Sequence, residues 1–125
     1  MYNIFGSDNM ASIGIDILKI DRIEKIKTKE KFMNNIFNIK ELEYINSKNK
    51  KNDTIAGLYC AKEAFLKSIK KGIDYYSLKD IEVSHNEDGA PFIILHNELE
   101  KKYKNLDISL SISHDGEYAT AIVLI

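Results

Sequence analysis

The 125 residues predict an α+β fold, a mainly antiparallel sheet packed against one long helix and shorter helices. Three observations lead there. Ser12 to Ile20 is rich in β-branched residues and alternates as a strand does, as do two stretches near the C-terminus. Ile55, Leu58, Tyr59, Phe65, Leu66 and Ile69 recur at the helical period. Asn86 to Pro91 (N-E-D-G-A-P) is a turn between two short apolar stretches, with Gly89 suited to positive φ.

Taken in order, the strand from Ser12 to Ile20 places Ile13, Ile15 and Ile17 on one face and Gly14, Asp16 and Leu18 on the other. Asp21 is suited to cap a helix running to about Lys29. Phe32 to Phe37 is apolar but broken by Asn34 and Asn35. Ile39 to Asn46 reads as a short helix and Ser47 to Asp53 as a polar loop. Asp53 is the expected N-cap of the longest helix and Gly72 its expected end. Leu78 to Val83 and Phe92 to Leu95 read as strands, Asn97 to Tyr103 as a helix, and Ile108 to Ser113 and Tyr118 to Ile125 as the last two strands. One domain over residues 12–125 is expected, with 1–11 an N-terminal extension or expression remnant.

The bulk numbers narrow the function classes. The chain is 44% hydrophobic and 30% charged, which is globular in character. Its 18 basic and 19 acidic side chains leave a net charge of −1, so no whole-protein field favours nucleic acid. Its apolar runs are too short to span a membrane. A single cysteine, Cys60, forbids an internal disulfide and fits a reducing, cytoplasmic setting, with the thiol packed as a small apolar group.

Two acids stand out. Asp16 sits inside a strand, where Asp is disfavoured; there it must be paired, bind a cation, or lie at a strand end in water. Glu63 stands in the long helix one turn before Lys67. A plain solvated i,i+4 pair is the bland reading of those two. The sharper reading combines Asp16 and Glu63 as carboxylates for a hard divalent cation such as Mg²⁺, which takes one or two carboxylates plus water and substrate phosphate. Lys67 beside them would meet phosphate oxygens, a set suited to phosphoryl transfer. A metal-dependent phosphohydrolase using the same acids would need more of them near Asp16. Lys62, on the apolar stripe, either snorkels from the core edge or faces a polar cavity. His114 follows Ser111 and Ser113 at a strand end, placed to donate to a phosphate or simply solvated. His85 and His96 receive no role. Arg22, Lys25 and Lys29 would share one helix face, either a dock for an acidic partner or an ordinary solvated surface.

Three blocks carry a resemblance. G-I-D-I-L-K-I-D-R-I (Gly14 to Ile23), Y-C-A-K-E-A-F-L-K-S-I (Tyr59 to Ile69) and S-I-S-H-D-G-E-Y-A-T-A (Ser111 to Ala121) occur in the order of the signatures of holo-acyl-carrier-protein synthase, the short single-domain class of 4'-phosphopantetheinyl transferases. The resemblance implies that fold, and transfer of phosphopantetheine from coenzyme A to a serine of apo-acyl carrier protein. It also implies release of adenosine 3',5'-bisphosphate, a need for Mg²⁺, and a place in fatty acid and lipid metabolism. By residue, it implies Asp16 and Glu63 as Mg²⁺ ligands, Lys67 at the phosphate under attack, Lys62 and His114 in coenzyme A binding, and Arg22, Lys25 and Lys29 toward the carrier protein. It implies a homotrimer whose sites are shared between subunits, so that His114 would come from a different chain than Asp16 and Glu63. A non-catalytic carrier-protein or nucleotide-binding module of the same fold is the alternative. Leu58 replaces a basic residue usual in relatives, and Lys71 a small one, which bear on ligand contacts more than on the metal pair.

Overall fold

The structure, a computed structural model, describes residues 11–125. The expected extension, residues 1–11, lies outside the described residues except for Ala11. Its elements in chain order are β1 (Ile13–Lys19), a 3₁₀ turn (Ile20–Arg22), α1 (Ile23–Ile26), α2 (Glu30–Ile36), α3 (Ile39–Ser47), α4 (Asn52–Ser68), a second 3₁₀ turn (Leu78–Asp80), β2 (Ile81–His85), β3 (Pro91–Leu95), α5 (Asn97–Tyr103), β4 (Ser109–Asp115) and β5 (Tyr118–Leu124). Every strand pairing is antiparallel. β1, β5 and β4 form one sheet in that order, and β2 and β3 form a separate hairpin.

Helix α4 organises the fold. Its faces bury Ile55, Leu58, Phe65 and Leu66, together with the small residues Ala56, Cys60, Ala61 and Ala64. The small residues let β1 approach closely. A Cβ on Gly14 would clash with the Ala64 carbonyl oxygen and lie 2.6 Å from the Ser68 amide nitrogen, so no larger residue fits. Ser12 closes the same contact by donating its hydroxyl to the Ser68 carbonyl at 2.6 Å, satisfying a helix-end acceptor.

β1 therefore turns its Gly14, Asp16 and Leu18 side toward α4. The isoleucine side points outward: Ile13, Ile15 and Ile17 are 55%, 60% and 64% exposed. Register pairs Ile13 with Leu124 and Ile15 with Ile122, both also exposed, so the outer face of the sheet is an apolar patch. Inward, Ala119, Ala121 and Val123 of β5 pack on α4.

Several boundaries differ from expectation. The helix expected from Asp21 to Lys29 is broken into the 3₁₀ turn and the four-residue α1, and Asp21 lies inside the turn without capping it. The stretch around Phe32 is helical despite Asn34 and Asn35, with Met33 and Ile36 inward. α4 begins at Asn52, so Asp53 sits in its first turn, where its charge suits the helix dipole, and is not the N-cap. The helix stops at Ser68 because Lys70, not Gly72, takes the left-handed conformation at φ 65°. Lys71 N–H donates to Leu66 O at 2.9 Å and Lys70 N–H to Lys67 O at 3.1 Å, the two bonds of a Schellman cap. Leu78 to Asp80 forms a 3₁₀ turn, so the strand starts only at Ile81. The turn before β3 is as expected: Gly89 has φ 87°, and the Asn86 side chain accepts from Asp88 N–H and Ala90 N–H at 2.9 and 3.0 Å.

Candidate active site

Asp16 does not point to water at a strand end. It stands mid-strand on the face against α4, and its side chain is 16% exposed. Lys67, on the last turn of α4, donates to Asp16 Oδ1 and to the Ile15 carbonyl, both at 3.0 Å. The partner of Lys67 is thus Asp16 and not Glu63, and the plain i,i+4 pair is replaced by a bond across elements. Glu63 sits one turn earlier and shares the cluster. Burial first and the Asp16 carboxylate second push its carboxyl above the usual range, while the neighbouring Tyr59 hydroxyl and the Lys67 ammonium pull the other way. Tyr59, one further turn back, is pushed up to about 12 by burial, then by Glu63 and Asp16. Burial and the neighbouring Asp16 likewise hold the Cys60 thiol at about 12, which keeps it protonated and inert.

These two carboxylates form a half-enclosed acidic pair flanked by one movable ammonium, since the Lys67 side chain is 54% exposed. Among the described residues no group of three or more His, Cys, Asp or Glu could hold a metal ion. A two-carboxylate set fits a hard cation that keeps waters and substrate phosphate in its shell, and does not fit a cage of protein ligands. The elevated Glu63 carboxyl has the same sense: a second negative charge beside Asp16 is held at a cost that a cation would relieve.

His114 lies elsewhere. It is the next-to-last residue of β4, the strand on the far side of β5 from β1, and pairs across from Ala119, itself across from Leu18. Two strand spacings amount to roughly 10 Å of lateral separation from β1. His114 instead lines a cavity of about 210 Å³ with Thr54 and Leu58 of α4, Tyr44 and Pro91. Its Nδ1 is 3.8 Å from Asp53 Oδ2. His85, which carried no role by sequence, lines the same cavity, stacked on Tyr44 with ring centroids 4.1 Å apart and planes 8° from parallel. The stack joins β2 to α3, a pairing with no sequence signature.

Lys62 requires a correction. It neither snorkels nor faces a ligand cavity: it is wholly buried. Its ammonium donates to Glu41 Oε1 at 2.8 Å, Leu78 O at 2.8 Å and Ile81 O at 2.6 Å. Three donors meet three acceptors, so none remains for coenzyme A. Glu41 is equally occupied. It closes a capping box with Asn38 and accepts from Val83 N–H at 2.9 Å. Burial drives the Lys62 amine down and the Glu41 carboxyl up, and their attraction and hydrogen bonds oppose both.

Arg22, Lys25 and Lys29 are all exposed. They do not share one helix face, because the 3₁₀ turn, α1 and the residues before α2 each carry one.

The family model described as the 4'-phosphopantetheinyl transferase superfamily matches residues 12–123. The chain belongs to this superfamily. Among its relatives, the holo-[acyl-carrier-protein] synthase of Fusobacterium nucleatum is 42% identical over 117 residues, covering 90% of this chain and 96% of the relative. That of Finegoldia magna is 45% identical over 112 residues, covering 90% and 92%. The crystal structure of the Helicobacter pylori holo-[acyl-carrier-protein] synthase in complex with coenzyme A superposes with a TM-score of 0.79 at 37% identity, covering 89% of this chain and 96% of that one. The α+β architecture and the enzyme class expected from the three sequence blocks are therefore those of its relatives, and the acidic pair on β1 and α4 is the transferase's candidate site.

Proposed function

We propose that this transferase moves the 4'-phosphopantetheine group of coenzyme A onto a serine hydroxyl of an apo-acyl carrier protein, with Mg²⁺, releasing adenosine 3',5'-bisphosphate. The observation that carries the reading is the joining of Asp16, Glu63 and Lys67 by the β1–α4 contact. The names of the relatives and the coenzyme A complex of a structural neighbour support the same substrates.

In the reaction the serine oxygen forms a bond to the phosphorus that carries pantetheine. The bond from that phosphorus to the bridging pyrophosphate oxygen breaks, and the leaving phosphate keeps the electron pair. Asp16 and Glu63 would hold Mg²⁺, which when bound neutralises charge on the pyrophosphate. Lys67, released from Asp16, reaches the phosphate under attack with its exposed ammonium. The serine proton passes to a general base and from it to solvent; Glu63 is the candidate among the three, and a water beside it the alternative.

His114 and its cavity suit the nucleotide end of coenzyme A, but they lie on the opposite edge strand of the sheet from Asp16, on the same α4-facing side. A site shared between subunits reconciles the two halves. The outward isoleucines supply the means: covering each exposed side chain such as Ile13, Ile15 or Ile17 contributes up to about 2 kcal/mol, which favours self-association, and the homotrimer that the family resemblance implies would use this face. Arg22, Lys25 and Lys29 are exposed, as contact with an acidic carrier protein would require. No helix among the described residues is long and apolar enough to cross a membrane, and a lone reduced Cys60 suits work in the cytoplasm.

The test is mass spectrometry of several apo carrier proteins incubated with coenzyme A, Mg²⁺ and the protein. One carrier gains the phosphopantetheine mass, and Glu63→Gln, still folded, loses that activity. No mass gain on any carrier sinks the reading, and full activity of Glu63→Gln removes Glu63 from the metal pair.

A further inference from the structure

We propose that Lys62 is a positioning residue that sets the rotation of α4 and thereby aims its neighbour Glu63 at Asp16; this rests on the transferase reading above. The helix needs such a device. Where α4 meets the three-stranded sheet its side chains are small, Ala56, Gly57, Cys60, Ala61 and Ala64. Small side chains bring backbones close, yet form shallow ridges that interlock poorly. The Gly14 contact fixes how near β1 stands to α4 but leaves rotation about the helix axis less determined.

Lys62 supplies what the small face lacks. Its ammonium is held from three separate segments: Glu41 on α3, the Leu78 carbonyl of the 3₁₀ turn and the Ile81 carbonyl opening β2. Glu41 is itself fixed from Asn38 N–H and Val83 N–H. The cluster extends through the buried Glu82, which accepts from the Asn38 side chain at 3.1 Å and lies 2.7 Å from His96 Nε2. Rotating a helix by about 20° moves an atom at its rim by roughly 2 Å. That is enough to break bonds of 2.6 to 2.8 Å at Lys62, and it would displace Glu63 from Asp16 by a similar distance. Stability alone is a weak reason for such a pair, because buried ion pairs are often replaceable by apolar residues without loss. Directional bonds at a fixed radius add to the packing of Ile55, Leu58, Phe65 and Leu66 what the small sheet-facing side chains lack.

The experiment compares the wild-type protein with Glu41→Gln/Lys62→Met, in which the pair is made neutral, and with Glu41→Gln, in which Lys62 keeps its two carbonyl acceptors. Mn²⁺ binding with coenzyme A present is read from the free-ion signal in electron paramagnetic resonance. Steady-state transfer gives kcat and the KM for coenzyme A. In the double variant the Mn²⁺ Kd rises about tenfold and kcat falls about tenfold to a hundredfold, while the KM for coenzyme A at saturating metal stays within about twofold. Glu41→Gln shifts the Mn²⁺ Kd in the same direction by a smaller factor, and decides the matter if the double variant does not fold. Wild-type Mn²⁺ binding and kcat in either folded variant overturn the proposal. So does a raised KM for coenzyme A with unchanged Mn²⁺ binding, which would return Lys62 to direct substrate contact. If the wild-type protein binds Mn²⁺ but transfers nothing, the transferase reading fails, and the Mn²⁺ comparison still tests the positioning.

Discussion

Replacing Gly14 by alanine tests the contact on which the site depends. The added Cβ would overlap the Ala64 carbonyl oxygen and stand 2.6 Å from Ser68 N, and both neighbours are backbone atoms that cannot swing aside. Restoring an ordinary 3.4 Å separation from Ser68 N alone requires β1 and α4 to part by at least 0.8 Å. Overpacking of this kind costs about 3 kcal/mol, near the top of the usual range because no rotamer relieves it. For a chain of this length that lowers Tm by roughly 10 °C. The functional loss is larger in proportion. Asp16 lies two residues from Gly14 on the same face, so the same displacement carries it away from Glu63 and Lys67. A misplacement near 1 Å can cost about a hundredfold in rate. The assays are urea melts at matched protein concentration, since association shifts apparent stability, and carrier-protein turnover below the new Tm. A Gly14→Ala protein with wild-type stability would refute the close approach of β1 to α4, and with it the geometry of the site.

Three further outcomes follow from the same geometry. Burial and Asp16 raise the Glu63 carboxyl, so its charge opposes folding above its folded pKa and this cost disappears at pH values below the unfolded one; metal-free Glu63→Gln melts higher than wild type at pH 7, with the gap closing toward pH 4, and equal melting at pH 7 contradicts the crowding of the two acids. Lys70→Gly relieves the left-handed backbone at φ 65° and raises unfolding free energy by about 1 kcal/mol in urea melts with unchanged m-value; no gain means the Schellman cap is not populated. Ile15→Asp puts a charge on the outward apolar face at a 60% exposed position, so light scattering reads the mass of a single chain with unchanged circular dichroism; an oligomer of unaltered mass removes this face from self-association.

The sequence shows some of this plainly and conceals the rest for definable reasons. The strand at Ile13, the long helix and the Gly89 turn are legible because each rests on local chemistry: alternation, period and positive φ. The end of α4 is not. Gly72 is the residue a sequence reader selects, but the left-handed position falls to Lys70, and a lysine there announces nothing. Alternation assigns Ile13, Ile15 and Ile17 to one face without saying which face meets the helix. Here the small face wins, because only Gly14 lets α4 approach. Asp16, Glu63 and Lys67 were legible as a set because carboxylates and an ammonium are rare company for a strand and helix that pack together. The cavity lined by Tyr44, His85 and His114 was not, since it is assembled from α3, β2 and β4 with no spacing to reveal it.

Lys62 shows most directly why a charged residue on an apolar stripe is ambiguous. Its partner Glu41 is 21 positions away and looks like a routine capping-box acid, N-x-x-E after Asn38. Neither residue signals the other. Successive helix residues point about 100° apart, so Lys62 and Glu63 cannot serve one surface. One must go to the core and the other to the site, and the structure settles which by where the partners are: the acceptors Leu78 O, Ile81 O and Glu41 on one side, the Asp16 carboxylate and the Lys67 ammonium that donates to it on the next. A third surface, Thr54 to Leu58, lines the cavity of His114. A single 17-residue helix thus carries a buried pin, an acidic pair and a cavity wall at different angles about one axis. An error in its rotation would disturb all three together, which is the physical reason to look for the determinant of activity at a residue that never meets the substrate.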